Sequence, residues 1–309
     1  MKTYLDKNVY EAALERIAYC FQEFDNVLVA FSGGKDSGVL LNLCYNYADE
    51  HGLLDKLTMY HLDYEAQYQM TTEYVTRTFL EQFPGIRKMW YCVPIKAQSA
   101  CALGEPYWTP WDAAKKKLWV RAMPENPYVV HEGNLDVPFR HGMVDYEFQD
   151  KLSRHFAKKR GTTAVMVGLR ADESLNRYAA VARGKKRRSY EGRKWITQTS
   201  AVTANVYPLY DWRVSDIWTA TARFGFDYNR LYDLLYQAGL TAGQMRVASP
   251  FNDCAQESLK LYKVIDPSNW GAHDRPGQRR QFYGPVRRHD GHGLENHQAA
   301  ARPYLEIVL

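Results

Sequence analysis

Six consecutive residues, Ser32-Gly33-Gly34-Lys35-Asp36-Ser37, combine the groups needed to hold a phosphate chain. Adjacent glycines let backbone N–H groups converge on an anion because no Cβ stands in the way. Lys35 adds a mobile cation, and Ser32 and Ser37 add hydroxyl donors. The run from Val27 to Phe31 before them is short, apolar and rich in β-branched residues, which predicts a buried strand. Gly38-Val39-Leu40-Leu41-Asn42-Leu43 after them resumes with helical spacing. The six residues therefore join a strand to a helix N-terminus, whose dipole favours negative charge. The spacing is not G-x-x-x-x-G-K-[ST], so a Walker-type loop is not indicated.

Two further stretches follow later apolar runs. Gly168-Leu169-Arg170-Ala171-Asp172-Glu173-Ser174, with Asn176-Arg177 behind it, comes after the valine-containing run at 163–167. Gly168 would let a nucleotide approach the backbone, and Arg170 and Arg177 would neutralise phosphate or a second anion. Glu173 is expected to hold Arg170 in place. The second stretch is Tyr207-Pro208-Leu209-Tyr210-Asp211-Trp212-Arg213-Val214-Ser215-Asp216-Ile217-Trp218. Asp63, after the apolar run at 57–62, is either an acceptor for ribose or adenine groups or an ordinary turn aspartate.

Together these stretches resemble the PP-loop ATP pyrophosphatase superfamily, whose members cleave ATP between its α and β phosphates. Within it they resemble the adenylylsulfate/phosphoadenylylsulfate (PAPS) reductase-like branch, which includes the small subunit of ATP-dependent sulfate adenylyltransferase. The resemblance runs from Asn26 to Gln237, less an aromatic insertion. It implies an α/β, adenine nucleotide α-hydrolase-like fold, a Rossmann-like doubly wound parallel sheet with the adenylate across the strand ends. It also implies nucleotide contacts from Ser32, Gly33, Gly34, Lys35, Asp36, Ser37, Asp63, Gly168 and Arg170. Lys35, Ser37, Arg170 and Arg177 would carry catalysis, and Glu173, Ser174 and Asp211 would support them. The implied ligands are ATP and Mg²⁺, the ion bridging the phosphates with Asp36 either as a ligand or as an anchor behind the ion's ligands.

The chain departs from the reductases at its C-terminal end, where their sulfo-accepting cysteine lies in an E-C-G-I-H-type motif. Its only late cysteine is Cys254, in Asn252-Asp253-Cys254-Ala255-Gln256, and it reads as packed. The expectation is thus an adenylating enzyme and not a PAPS reductase. The H-L-D-Y-E-A-Q-Y segment, the aromatic insertion and the K-K-R-R run are similar to IbrA-type proteins of phages and prophages. Such proteins are typically encoded beside a ParB/sulfiredoxin-like partner and described as regulatory co-activators, which makes a nucleotide-sensing role the competing expectation. The ATP pyrophosphatase component of DNA phosphorothioation systems is a more distant likeness.

Positioning these residues needs repeated strand–helix units. Helical spacing predicts helices from Asn8 to Phe24, Gln69 to Phe83, Asp145 to Lys159, Val214 to Phe224 (with Ser215 as N-cap) and Asn229 to Gln237. Strands are predicted from Leu57 to Leu62, Lys88 to Val93, Thr163 to Val167 and Thr203 to Tyr207. The alternation predicts a parallel sheet with crossover helices. Residues 94–141, rich in Trp, Pro and Tyr, read as an insertion. Residues 1–240 are expected to form the catalytic domain and 241–309 an irregular extension packed on it.

The chain has 309 residues, is 46% hydrophobic and carries a net charge of +5, ordinary values for a globular protein. The positive excess gathers at Arg183 to Lys194 and Arg275 to Arg288. The first run reads as a solvated loop, a lid over the phosphates, or a nucleic-acid track. Five cysteines without a C-x-x-C pair argue against a disulfide framework. His289, His292 and His297 lack metal-site spacing and read as a surface tail. No segment approaches the ~20 apolar residues of a membrane span, so a cytoplasmic protein without membrane partners is expected.

Overall fold

The structure is a computed structural model that describes residues 6–98, 107–182, 189–247, 249 and 256–269. Helix α1 (Val9–Glu23) starts at Asn8, whose side chain accepts the Glu11 N–H while the Glu11 carboxylate accepts that of Asn8. Such a reciprocal cap is worth about 1 kcal/mol. There follow β1 (Asn26–Ala30), α2 (Lys35–Glu50), β2 (Leu57–Leu62), α3 (Gln69–Glu81) and β3 (Arg87–Cys92). Two short strands, β4 (Ala97–Gln98) and β5 (Tyr107–Trp108), pair with each other before β6 (Val129–His131). Next come α4 (Asp145–Arg160), β7 (Thr163–Met166), α5 (Leu175–Ala182), β8 (Ser189–Tyr190), β9 (Arg193–Gln198) and β10 (Thr203–Val206). Helices α6 (Val214–Phe224), α7 (Leu231–Gln237) and α8 (Gln256–Ile265) complete the series.

The main sheet has the order β6-β3-β2-β1-β7-β10-β9-β8. Its first six strands are parallel, and β9 and β8 continue it antiparallel. Strand β2 is buried at all six positions and β7 at all four, as expected where both faces are covered. Alternation in β1 shows how: Val27 and Val29 pack with Ile17, Phe21 and Leu40 of α1 and α2. Leu28 points the other way, to Phe148, Leu152 and Phe156 of α4. Helices on both faces make the sheet doubly wound, as the sequence predicts.

From β1 the chain steps outward to β2, β3 and β6, then returns through α4 to β7 on the opposite side of β1. The strand order reverses between β1 and β7. In open α/β sheets the crevice at such a reversal, outside the carboxyl ends of the strands, is where ligands bind.

Several local expectations need correction. Ser215 is not the cap of α6; Arg213 is, and the Asp216 carboxylate accepts the Arg213 N–H at 2.7 Å. Within the 94–141 segment, β6 pairs with β3 at the edge of the main sheet. Strands β8 and β9 and helices α5 and α8 have no counterpart in the sequence reading. Among the described residues no helix is long and apolar enough to cross a membrane.

Candidate nucleotide site

The loop between β1 and α2 is held by its own serines. The Ser37 hydroxyl donates to the Gly34 carbonyl at 3.0 Å and accepts the Ser32 N–H at 3.2 Å. Gly33 adopts φ +77°, a conformation that L side chains rarely take, and a Cβ there would meet Val75 and Thr71 at 3.0 and 3.2 Å. Underneath, His61 sits 2.8 Å from the Phe31 carbonyl through Nδ1. Burial lowers the His61 pKa, so the neutral ring donates that N–H and fixes the end of β1.

The loop after β7 closes against this turn. A Cβ on Gly168 would lie 2.9 Å from the Ser37 nitrogen and 3.0 and 3.1 Å from the Asp36 carbonyl carbon and oxygen. Only glycine allows the two loops to approach so closely. Arg170 then pairs through Nε with Asp36, whose other oxygen is 3.1 Å from the Lys35 ammonium. The Arg170 side chain also reaches Asp172 at 3.3 Å. Burial would push the Asp36 carboxyl up, but Lys35 and Arg170 hold it below the usual carboxylate range. Burial lowers the pKa of the Lys35 ammonium, against the pull of Asp36. The arrangement gathers two cations and a glycine cradle at the strand-order reversal, which suits a polyphosphate.

Asp36 fits poorly as a metal ligand here, since both its oxygens face cations. Among the described residues no group of three His, Cys, Asp or Glu side chains could hold a metal ion.

The sequence reading has Glu173 holding Arg170, but among the described residues its carboxylate has other partners. It pairs instead with Arg177 at 2.6 Å and with Arg246 at 3.5 Å, because α5 turns Arg177 back over it. Ser174 accepts the Arg177 N–H at 3.2 Å and so caps α5. Asp211 grips Arg16 of α1 through two hydrogen bonds of 2.8 and 2.6 Å. Its neighbour Tyr210 accepts the Ala171 N–H at 2.8 Å, so this turn supports the Arg170 loop from behind.

Asp63 belongs to a second cluster. It is fully buried at the end of β2 and accepts from Arg121 at 2.7 and 2.6 Å, from the Trp90 indole at 2.7 Å and from the Glu65 N–H at 2.8 Å. Burial alone would raise its pKa, but the Arg121 guanidinium holds it below the usual carboxylate range. With its acceptor sites filled, the Asp63 carboxylate anchors the aromatic segment and offers no free oxygen to a ribose, correcting its assignment as a nucleotide contact. Glu65 works beside it, accepting the Trp111 and Val120 N–H groups at 2.8 and 2.7 Å.

Tyr232 and Arg246 were missed by sequence reasoning, and both reach the site from beyond the sheet. The Tyr232 hydroxyl accepts the Lys35 N–H at 3.1 Å, and its ring centroid lies 5.3 Å from the Lys35 ammonium. Asn229 donates to the Gly33 carbonyl at 3.3 Å and to Thr71 at 2.9 Å. Cys254, the three late histidines, residues 183–188 of the basic run and the 275–288 cluster lie outside the described residues.

The sequence model of the "Phosphoadenosine phosphosulfate reductase domain" family matches residues 26–238, and that of a domain of unknown function (DUF3440) matches 239–273. "Uncharacterized protein YbdN" of Escherichia coli (strain K12) is 35% identical over 271 residues, 87% of this chain and 65% of the relative. The chain thus spans about two thirds of that relative's length. Among solved structures, PAPS reductase from Candida auris in a phosphate complex aligns with a TM-score of 0.40 and 14% identity, over 75% of this chain and 93% of that one. Candida glabrata FMN adenylyltransferase with FMN and an ATP analogue aligns at 0.42 and 14%, over 77% and 64%. The U34-tRNA thiolase NcsA from Methanococcus maripaludis aligns at 0.39 and 13%, over 94% and 86%.

Proposed function

The chain belongs to the phosphoadenosine phosphosulfate reductase domain family, and from that premise we propose that it binds ATP and cleaves it between the α and β phosphates to adenylate an acceptor. The observation that carries this reading is the contact between Gly168 and the first turn of α2, which brings Arg170, Asp36 and Lys35 together where the strand order reverses. Attack on the α-phosphorus expels pyrophosphate through a loose transition state, so positioning and charge do most of the work. The Lys35 ammonium and the loop N–H groups hold the departing pyrophosphate. Ser32 and Ser37 keep the loop in shape, and Arg170 and Arg177 face the α-phosphate and the acceptor. A Mg²⁺ ion would enter on the phosphates and screen their charge.

The acceptor is sulfate, a nucleic-acid base or a protein group, in a phage-type regulatory or sulfur-modification setting. The basic run from Arg183 to Lys194 would serve a nucleic-acid acceptor, and a ParB/sulfiredoxin-like protein is the candidate partner. Pyrophosphate release from ATP, measured with each acceptor and with the partner, tests this reading. Lys35→Ala should abolish release, and unchanged release in that variant removes the assignment. Wild-type protein that binds ATP yet releases no pyrophosphate under any of these conditions would put a nucleotide-sensing regulator in its place.

A further inference from the structure

Tyr232 lies on α7, 197 residues along the chain from the backbone N–H it contacts. It is 4% exposed, and Trp218 meets its ring edge-on at 5.3 Å between centroids. The ring also lies beside the Lys35 ammonium, so its hydroxyl is held in one place by packing on one side and charge on the other. Burial raises its pKa, which keeps the phenol protonated. A protonated phenol carries one donor and two acceptor sites. One acceptor site takes the Lys35 N–H, and among the described residues that is the only hydrogen bond the hydroxyl makes.

The Lys35 N–H heads the first turn of α2, where an incoming phosphate oxygen would be drawn. An ionised oxygen competes for that N–H better than a neutral phenol does, since charge-assisted hydrogen bonds are roughly twice as strong. An oxygen that takes the N–H lies within reach of the hydroxyl, which can then turn its proton toward the oxygen without moving the ring. A Cβ built on Gly34 would be 3.5 Å from the same hydroxyl, so the phenol borders the loop's phosphate-facing turn directly.

We infer that Tyr232 is a phosphate-contacting residue, donating from α7 to the outer phosphates of the bound nucleotide opposite the N–H groups of the β1–α2 loop. The inference rests on the ATP reading above and adds a residue to it. It makes the site a composite of the nucleotide loop and the chain beyond the sheet. Tyr232 would thereby select for polyphosphates over monophosphates.

Calorimetric titration of the full chain and its Tyr232→Phe variant with ATP, inorganic pyrophosphate and AMP tests it. The Phe ring preserves the packing against Trp218, and a cooperative thermal transition close to that of the wild type checks the fold. ATP and pyrophosphate should bind about tenfold to a hundredfold more weakly to the variant, the loss expected for one hydrogen bond to a charged group. AMP, which lacks the outer phosphates, should bind both proteins alike. A variant that binds ATP as tightly as the wild type, or more tightly, overturns the inference and leaves the ATP reading standing. Equal weakening for AMP overturns it too, since it assigns the loss to general disruption. Wild-type protein that takes up neither ATP nor pyrophosphate brings down the ATP reading itself.

Discussion

Glu65 takes a left-handed backbone conformation, φ 62°, with its carboxylate shut inside the molecule. Burial raises its pKa to about 7, against the N–H groups of Trp111 and Val120. Between about pH 4.5 and 7 the folded chain keeps a proton that the unfolded chain has released. This group's contribution to stability therefore falls as pH rises through that window and stays level above it. Denaturant unfolding of wild type and Glu65→Gln at several pH values should show their difference in stability changing by about 3 kcal/mol across the window. A difference independent of pH would refute the assignment. Gly168 allows a second forecast. The atoms a new Cβ would strike belong to backbone and cannot swing aside. Gly168→Ala should cost about 1–3 kcal/mol of stability, readable from denaturation, and on the proposed reading should weaken ATP binding, readable from titration. The glycine, lysine and serines of the β1–α2 loop were legible because they are consecutive between a strand and a helix. Arg121 and Tyr232 were not, because their partners lie 58 and 197 residues away and no periodicity links them.

At the scale of elements, the segment from β5 to β6 is fastened to the end of β2. Arg121 stacks on the Trp111 ring at 4.9 Å while pairing with Asp63, and the Trp111 indole donates to the Asp63 carbonyl at 2.9 Å. Removing the guanidinium leaves a carboxylate buried without its countercharge. Arg121→Ala should therefore destabilise the fold by about 3–5 kcal/mol, measured by chemical denaturation, and expose residues 107–131 to protease. A loss below about 1 kcal/mol would mean that Asp63 finds another partner or a proton. Strands β1, β2 and β7 could be read from the sequence because doubly covered strands are apolar along most of their length. Strand β6 has three residues and too little pattern to recognise, and β8 and β9 expose polar side chains at the sheet edge.

In the whole molecule, the described residues after α7 add to the core. Met245, Val247 and Tyr262 pack with Ala66, Tyr68, Leu231 and Leu235 in one apolar cluster. Asp266 accepts the Gln69 N–H at 2.7 Å and so stands at the start of α3. A chain ended after Ala238 should lose about 1.5–3 kcal/mol for each of the three buried side chains removed, seen as a lower melting temperature and as binding of a hydrophobic dye. An unchanged melting temperature would instead mark the C-terminal part as dispensable. The doubly wound plan was readable from the order of strands and helices, whereas this late packing rests on contacts between distant segments. Because the partner of the Lys35 N–H is Tyr232, the site cannot be finished in the order in which the polypeptide is made. Almost two hundred further residues must be made after the loop before Tyr232 can meet it, so on the proposed reading a nascent chain lacks this contact until synthesis is well past α7.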